Sequence, residues 1–197
     1  DMERRKRTGL PDRAAGRRIV PLERARWAGW RLPIAYETEE YYDVSIRETP
    51  GGFAIALEKR PARPPIRHGQ AEYGDPDRLY QPWWEGAEAY GIVEDGALLA
   101  AVEVCPEEYA NRLRVTELWV DARLRRQGVG SRLMDLAKAV AAQDGRRAVV
   151  LETQSCNAAA IAFYRSQGFT LNGFDRSCYG NDDVQRREVR LDLVFFL

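Results

Sequence analysis

A strand that runs through a glycine-rich turn straight into an amphipathic helix constrains this chain more than any other feature. Leu118, Trp119 and Val120 close an apolar run, residues 121–124 lead on, and Arg125-Arg126-Gln127-Gly128-Val129-Gly130-Ser131 follows. Between Gly130 and Gln143 the residues Leu133, Leu136, Ala137, Val140 and Ala141 recur at helical spacing, which predicts a helix with one apolar face, stopped by Gly145. A helix that starts at such a turn aims free backbone N–H groups and the positive end of its dipole at whatever lies before it. Glycines there let an anion approach the backbone closely, and Arg125 and Arg126 add positive charge. The order therefore describes an anion site, and a pyrophosphate fits it. Two other glycine loops are excluded: Leu133 replaces the third glycine of GxGxxG, and no GK[ST] follows for a P-loop.

Elements on either side complete an α/β pattern. Residues 44–46 and 53–57 flank Pro50-Gly51-Gly52 and predict a hairpin near which the fold begins. Residues 60–81 carry Pro61, Pro64, Pro65 and Pro76 and read as a long surface loop. Asp95-Gly96 between residues 89–93 and 97–104 predicts a second hairpin, and a strand follows over 113–120. The short apolar run 148–151 suits a buried strand. A helix over 158–166, capped by Asn157 and stopped by Gly168, comes next, and strands over 169–174 and 189–196 close the chain.

Charge and cysteine content narrow the function classes. Lys and Arg total 30, as do Asp and Glu, so no global field points to nucleic acid or membrane. Positive charge gathers only at the start, where residues 1–18 carry Arg4, Arg5, Lys6, Arg7, Arg13, Arg17 and Arg18 with little apolar surface. They read as a basic tail, and residues 19–197 as a single domain. Three scattered cysteines without a CxxC pair indicate neither disulfides nor zinc. With no long apolar run and no signal-like start, a cytoplasmic protein is expected. His68 is the only histidine, so a Ser-His triad or a multi-histidine metal site would need other residues, and no metal is expected.

RRQGVG matches the R/Q-x-x-G-x-G/A motif of the GNAT superfamily of N-acetyltransferases. LETQSCNAAAIAFYRSQGF, from Leu151 to Phe169, resembles that family's second signature: strand, loop, asparagine at a helix start, a Phe-Tyr pair and Gly-Phe. The resemblance implies the GNAT fold, a mostly antiparallel sheet flanked by helices and splayed between the 113–120 and 148–151 strands, with acetyl-CoA as co-substrate in the gap. It implies that the loop from Arg125 through Ser131 binds the pyrophosphate through backbone amides. Leu118, Trp119 and Val120 would bond the pantetheine arm and stabilise the developing oxyanion, and Asn157 would touch the cofactor. Tyr164 would protonate the leaving thiolate, an assignment that suits a phenol placed beside sulfur.

An ammonium acceptor must lose a proton before it attacks. Glu117 is the first candidate base, sharing a strand face with Trp119, and Glu152 is the second, with cation binding as its other role. For both, an ordinary ion-paired carboxylate is the alternative. Within the superfamily, the details up to Gly173-Phe174-Asp175 and Tyr179 are similar to the streptothricin acetyltransferases, which acetylate an amine on the β-lysine part of a cationic antibiotic. Residues 1–40 have no counterpart in that resemblance, and Trp119 and Cys156 depart from it. Glu152, Asp175 and Tyr179 are the expected acceptor residues. Glu37, Glu39, Glu40 and Asp43 among Tyr36, Tyr41 and Tyr42, with Tyr80, Trp83 and Trp84 as a second aromatic wall, are compatible with a cationic acceptor, but for any single residue a solvated acidic face or packing under the long loop is the favoured reading. A protein, peptide or polyamine acceptor, or an acetyl-CoA sensor without turnover, remain open, as does a homodimer through Phe195-Phe196.

Overall fold

The computed structural model describes residues 16–69 and 77–197. Seven strands form the main sheet in the order β1-β4-β5-β6-β7-β9-β8. They are β1 (Val20–Leu22), β4 (Glu88–Glu94), β5 (Ala97–Glu107), β6 (Arg112–Val120), β7 (Ala148–Gln154), β8 (Thr170–Asp175) and β9 (Arg190–Phe196). Every neighbouring pair is antiparallel except β6 and β7. That parallel pair holds for only three positions, Arg112 with Ala148, Leu113 with Val149 and Arg114 with Val150, and beyond them the strands part. The mostly antiparallel, splayed sheet expected from the sequence is therefore present.

Helix α2 (Val129–Gln143) lies on one face, burying Val129, Leu133, Met134, Ala137, Val140 and Ala141 against Val102, Val104, Leu113, Val115, Val149 and Leu151. It stops as its glycine signal predicts, with Gly145 at φ +66 and Arg146 N–H reaching back to the Ala141 carbonyl at 2.9 Å. Helix α3 (Ala158–Ser166) begins where the Asn157 side chain accepts from Ala160 N–H at 3.2 Å. Asp95 and Gly96 both take positive φ, 49° and 80°, as a two-residue hairpin with right-handed strand twist demands.

Three expectations are corrected. The fold begins well before residue 44: β1 pairs with β4, and after helix α1 (Arg24–Trp27) the side chains of Leu22, Trp27 and Leu32 fill the second face of the sheet together with Leu79, Tyr80, Ala101 and Trp119. The hairpin around Pro50 is much longer than its apolar runs, because β2 (Tyr36–Thr49) and β3 (Gly52–His68) form a separate two-stranded ribbon. The loop expected over 60–81 is thus strand as far as His68. Pro61, Pro64 and Pro65 are tolerated because they fall at a register irregularity, where Thr38 pairs with Ile66 but Glu40 with Pro61, so the missing N–H groups interrupt no regular ladder. Residues 70–76 of that stretch lie outside the described residues, as do 1–15 of the basic tail. Arg17 is described, and its guanidinium pairs with Glu94 at 2.6 Å.

The ribbon packs Tyr42, Val44 and Leu57 against Ile161 of α3 and Leu191 of β9, and Tyr42 N–H donates to the Ser155 carbonyl at 2.8 Å. Its open end is thereby held at the mouth of the splay. No helix among the described residues is long and apolar enough to cross a membrane.

Candidate active site

Where β6 and β7 part, a cavity of about 290 Å³ opens, lined by residues of β6 and β7, by Tyr164 of α3, by the Tyr36 and His68 end of the ribbon, and by Asp77, Trp84 and Tyr179. Its floor is the unpaired half of β6. Asp121 N–H donates to the Leu99 carbonyl at 2.9 Å, which makes that a hydrogen-bonded pair of the antiparallel ladder. By alternation Trp119 and Glu117 spend their backbone groups on β5, and Leu118 and Val120 turn theirs to the gap. Of these, the Val120 carbonyl receives the Arg125 guanidinium at 3.3 Å. Trp119 contributes a buried side chain to the opposite core.

A bulge decides which side chain enters the cavity. Glu103 pairs with Glu117 but Val104 with Val115, so Thr116 is the extra residue. Without it, Glu117 would share the face of Val115 and point at α2; with it, Glu117 and Trp119 take the other face. Among the described residues no hydrogen bond or ion pair holds the Glu117 carboxyl. Burial pushes its pKa up to about 9, and Asp77, Glu103 and Glu152 add to the shift. Tyr164 lines the same cavity; burial, and then the charge of Glu117, raises its hydroxyl to about 12. Its ring is fixed edge-on to Phe163 and Phe169, at 5.5 and 6.1 Å, and among the described residues its hydroxyl has no hydrogen-bond partner. A carboxyl that readily holds a proton thus shares a cavity with a phenol that keeps its own at neutral pH.

At the outer end of β6 the turn takes the conformation an anion site needs. Gly128, at φ +77, has nothing within 4 Å of where a Cβ would sit. The first intrahelical donor is Arg132, to the Gly128 carbonyl at 3.1 Å, so the N–H groups of Val129, Gly130 and Ser131 have no helical acceptor. Gly130 has a different reason to be glycine: a Cβ there would meet Phe163 of α3 at 3.2 Å. The Ser131 hydroxyl accepts from Gln167 at 3.1 Å and keeps its own proton to donate, whereas the Gln127 amide donates to the Arg123 carbonyl at 2.7 Å. Arg126, at φ +58, is exposed and has no partner among the described residues. Open N–H groups, an empty approach at Gly128 and a free strand edge fit a pyrophosphate joined to an extended arm.

The structure separates the expected acceptor residues. Glu152 and Tyr179 line the cavity, but Glu152 is held by Arg190 at 3.2 Å and Arg114 at 3.5 Å, which offset its charge. Asp175 is not in the cavity lining; exposed at the end of β8, it accepts from Ser177 N–H and hydroxyl at 2.9 and 3.2 Å, closing its own turn. In the acidic stretch Glu37 pairs with Arg67 at 2.6 Å and Glu40 with Lys59 at 3.0 Å, both on the ribbon, and only Tyr36 reaches the cavity. Tyr80 is core, Trp83 is exposed, and Trp84 alone of that group lines the site.

Tyr36 stacks on His68, its cross-strand partner, with centroids 5.0 Å apart. Its hydroxyl donates to Gln154 Oε1 at 2.7 Å and lies 3.3 Å from Cys156 Sγ. Sequence reasoning set His68 aside and passed over Asp77, Thr116 and Gln154. Gln154 had a local signal, alternating with Glu152 along β7; the others had none.

With the geometry in place, comparison with known proteins identifies the lineage. The acetyltransferase (GNAT) family model matches residues 53–169. The chain belongs to the GNAT acetyltransferase family. A streptothricin acetyltransferase of Streptomyces lavendulae is 30% identical to it over 151 residues, 75% of this chain and 78% of that protein. The crystal structure of a nourseothricin acetyltransferase superposes on this GNAT chain with a TM-score of 0.69 at 26% identity, covering 92% of one and 99% of the other. A Bacillus anthracis candidate streptothricin acetyltransferase, solved in complex with acetyl coenzyme A, shares the fold at a TM-score of 0.67 and 20% identity, covering 91% and 98%. This GNAT member is an N-acetyltransferase related to the streptothricin acetyltransferases.

Proposed function

We propose that this enzyme acetylates a primary amine of a small cationic acceptor of the streptothricin type, with acetyl-CoA as donor. The observation that carries the proposal is the pairing of Glu117 with Tyr164 in one cavity at the splay, both without competing hydrogen bonds among the described residues. Acetyl-CoA, when bound, supplies an acetyl group activated as a thioester.

The protein's part begins at the turn. The N–H groups of Val129, Gly130 and Ser131 hold the pyrophosphate, with Arg125 and Arg126 adding charge. Leu118 and Val120 align the arm along the free edge of β6, and Asn157, beside the cavity, adds a polar contact. The Glu117 carboxylate takes the proton from the acceptor ammonium, directly or through water. An arriving cation favours its ionised form, so it can then act below the pH at which it ionises in the free enzyme. The Tyr164 hydroxyl gives its proton to the departing sulfur.

Several features support a compact cationic acceptor: carboxylates at Glu117, Asp77 and Glu152, and aromatic faces at Tyr36, Trp84 and Tyr179. Acetylation of such an antibiotic on its β-lysine amine is a resistance reaction and suits a cytoplasmic enzyme. The test is acetyl-CoA-dependent thiol release with streptothricin, lysine, spermidine and a basic peptide as acceptors. Rapid turnover of streptothricin alone supports the assignment. Turnover of only the peptide or polyamine removes the acceptor and keeps the enzyme class, and binding of acetyl-CoA without thiol release from any amine removes both.

A further inference from the structure

Residues 98–105 of β5 are all buried, and one of them, Glu103, carries a charge-bearing side chain at 0% exposure. The carboxyl is not idle. One oxygen accepts from the Thr116 hydroxyl at 2.8 Å, and the other from Tyr80 N–H. Thr116 is the bulge residue that turns Glu117 into the cavity, and Glu117 is the direct cross-strand partner of Glu103. Tyr80 anchors the segment that carries Asp77 and Trp84 to the cavity. It sits at φ +59, a region unfavourable for a bulky residue, and its hydroxyl is pinned between the Leu22 carbonyl and Ala89 N–H. An apolar residue at position 103 would fill the core but hold neither the bulge nor the turn.

We infer that Glu103 is a positioning residue of the acceptor site: it ties the bulge that presents Glu117 to the turn that delivers Asp77 and Trp84, and places a second carboxylate behind the base. The inference rests on Glu117 acting as the base. Titratable and charged groups face Glu117 from each element around the cavity: Asp77 before the turn, Glu103 on β5, Glu152 on β7 with Arg114 and Arg190, Tyr164 on α3, Tyr36 and His68 on the ribbon, and Tyr179. Of these, Glu103 alone is fully buried. Burial raises its pKa, and the Tyr80 and Thr116 donors, with the charge of Arg24, work the other way. In its ionised form its charge reaches Glu117 with little screening.

The test compares the pH profiles of kcat/KM for the wild type, Glu103→Gln, Thr116→Val and Glu117→Gln. The acceptor amine titrates identically in all four, so differences belong to the protein. Glu103→Gln keeps the shape, and its amide can accept from Tyr80 N–H while donating to Thr116. It is expected to lower the midpoint of the rising limb by about one pH unit, the order expected for a neighbouring charge. Acceptor KM rises and acetyl-CoA KM stays put. Thr116→Val removes one donor that favours the Glu103 carboxylate and shifts the limb the same way by less, which keeps the test open if Glu103→Gln folds poorly. The inference is overturned if the rising limb in Glu117→Gln moves to the pH at which the free acceptor amine ionises while Thr116→Val and Glu103→Gln leave midpoint and acceptor KM at wild-type values. A limb in Glu117→Gln that keeps the wild-type midpoint, rather than moving to the pH at which the free acceptor amine ionises, instead removes the base assignment, and the role of Glu103 goes with it.

Discussion

The two sides of the cavity are built differently. The donor side, the free edge of β6, the Gly128 turn, α2 and α3, comes from one nearly continuous stretch that ends at Phe169. The acceptor side gathers Tyr36 and His68 from the ribbon, Asp77 and Trp84 from a connecting segment, and Tyr179 from near the end of the chain. The contact of Tyr36 with Cys156 alone spans 120 residues of sequence. The proposed donor side offers backbone N–H groups, which depend on a local conformation that a few glycines specify. The acceptor side works through side chains, whose meeting depends on how distant segments pack.

The largest expected effect is on Tyr164, which serves both sides. Tyr164→Phe keeps the ring packing and removes the proton; kcat should fall by roughly 10²- to 10⁴-fold with both KM values nearly unchanged. A kcat within a factor of three of the wild type would remove the acid role.

Next is Glu117→Gln, expected to lower kcat/KM by about 10²-fold. Burial first, then neighbouring carboxylates, raise the Glu117 pKa from its usual value to about 9, so wild-type kcat/KM should climb with pH toward that value, and in the variant the rise should instead follow the ionisation of the free acceptor amine. The same shift has a stability sign. A carboxyl with a raised folded pKa gives stability that is fully present below its unfolded value and lost as pH rises through the folded one. Glu117→Gln should therefore melt a few degrees above the wild type at pH 8 and level with it at pH 4. Equal melting temperatures at both would mean the carboxyl is better solvated than its setting implies.

A backbone perturbation sharpens the contrast. Gly130→Ala places a methyl 3.2 Å from the Phe163 ring, which must shift by a few tenths of an ångström, while the helix preference for alanine over glycine, up to about 1 kcal/mol, offsets the strain and keeps stability near the wild type. Acetyl-CoA KM should rise several-fold and acceptor KM should hold; a rise in both would show that the sides are mechanically coupled. The smallest effect is the converse. Tyr36→Phe loses the bond to Gln154 and should raise acceptor KM by roughly fivefold, the value of one partly buried hydrogen bond, with acetyl-CoA KM unchanged.

Legibility follows the same division. Helix α2, the Asp95-Gly96 hairpin and the Asn157 cap were readable because period, turn chemistry and capping act over a few residues. The ribbon was misread past residue 60, since prolines argue against a strand unless they fall at an edge or an irregularity of the ladder, and an irregularity is a relation between two strands. Asp175 carried the right charge in the right motif, but its own turn claimed it. Glu103 gave no signal within an apolar run, and the bulge at Thr116 cannot be read from β6 alone, because a bulge is a relation between two strands.

What the sequence by itself determined is the frame of the proposed donor side: the order strand, glycine turn, helix, strand, helix, with Tyr164 on the last, which local steric and hydrogen-bonding rules suffice to specify. What only the tertiary structure decided is which carboxylate faces the cavity unpaired and which aromatic groups surround it. Glu117 and Glu152 look alike in sequence, yet one is turned inward by a bulge and left without an ion pair among the described residues, and the other is held between Arg114 and Arg190. Burial and charge pairing separate them, and both are set by residues far away along the chain.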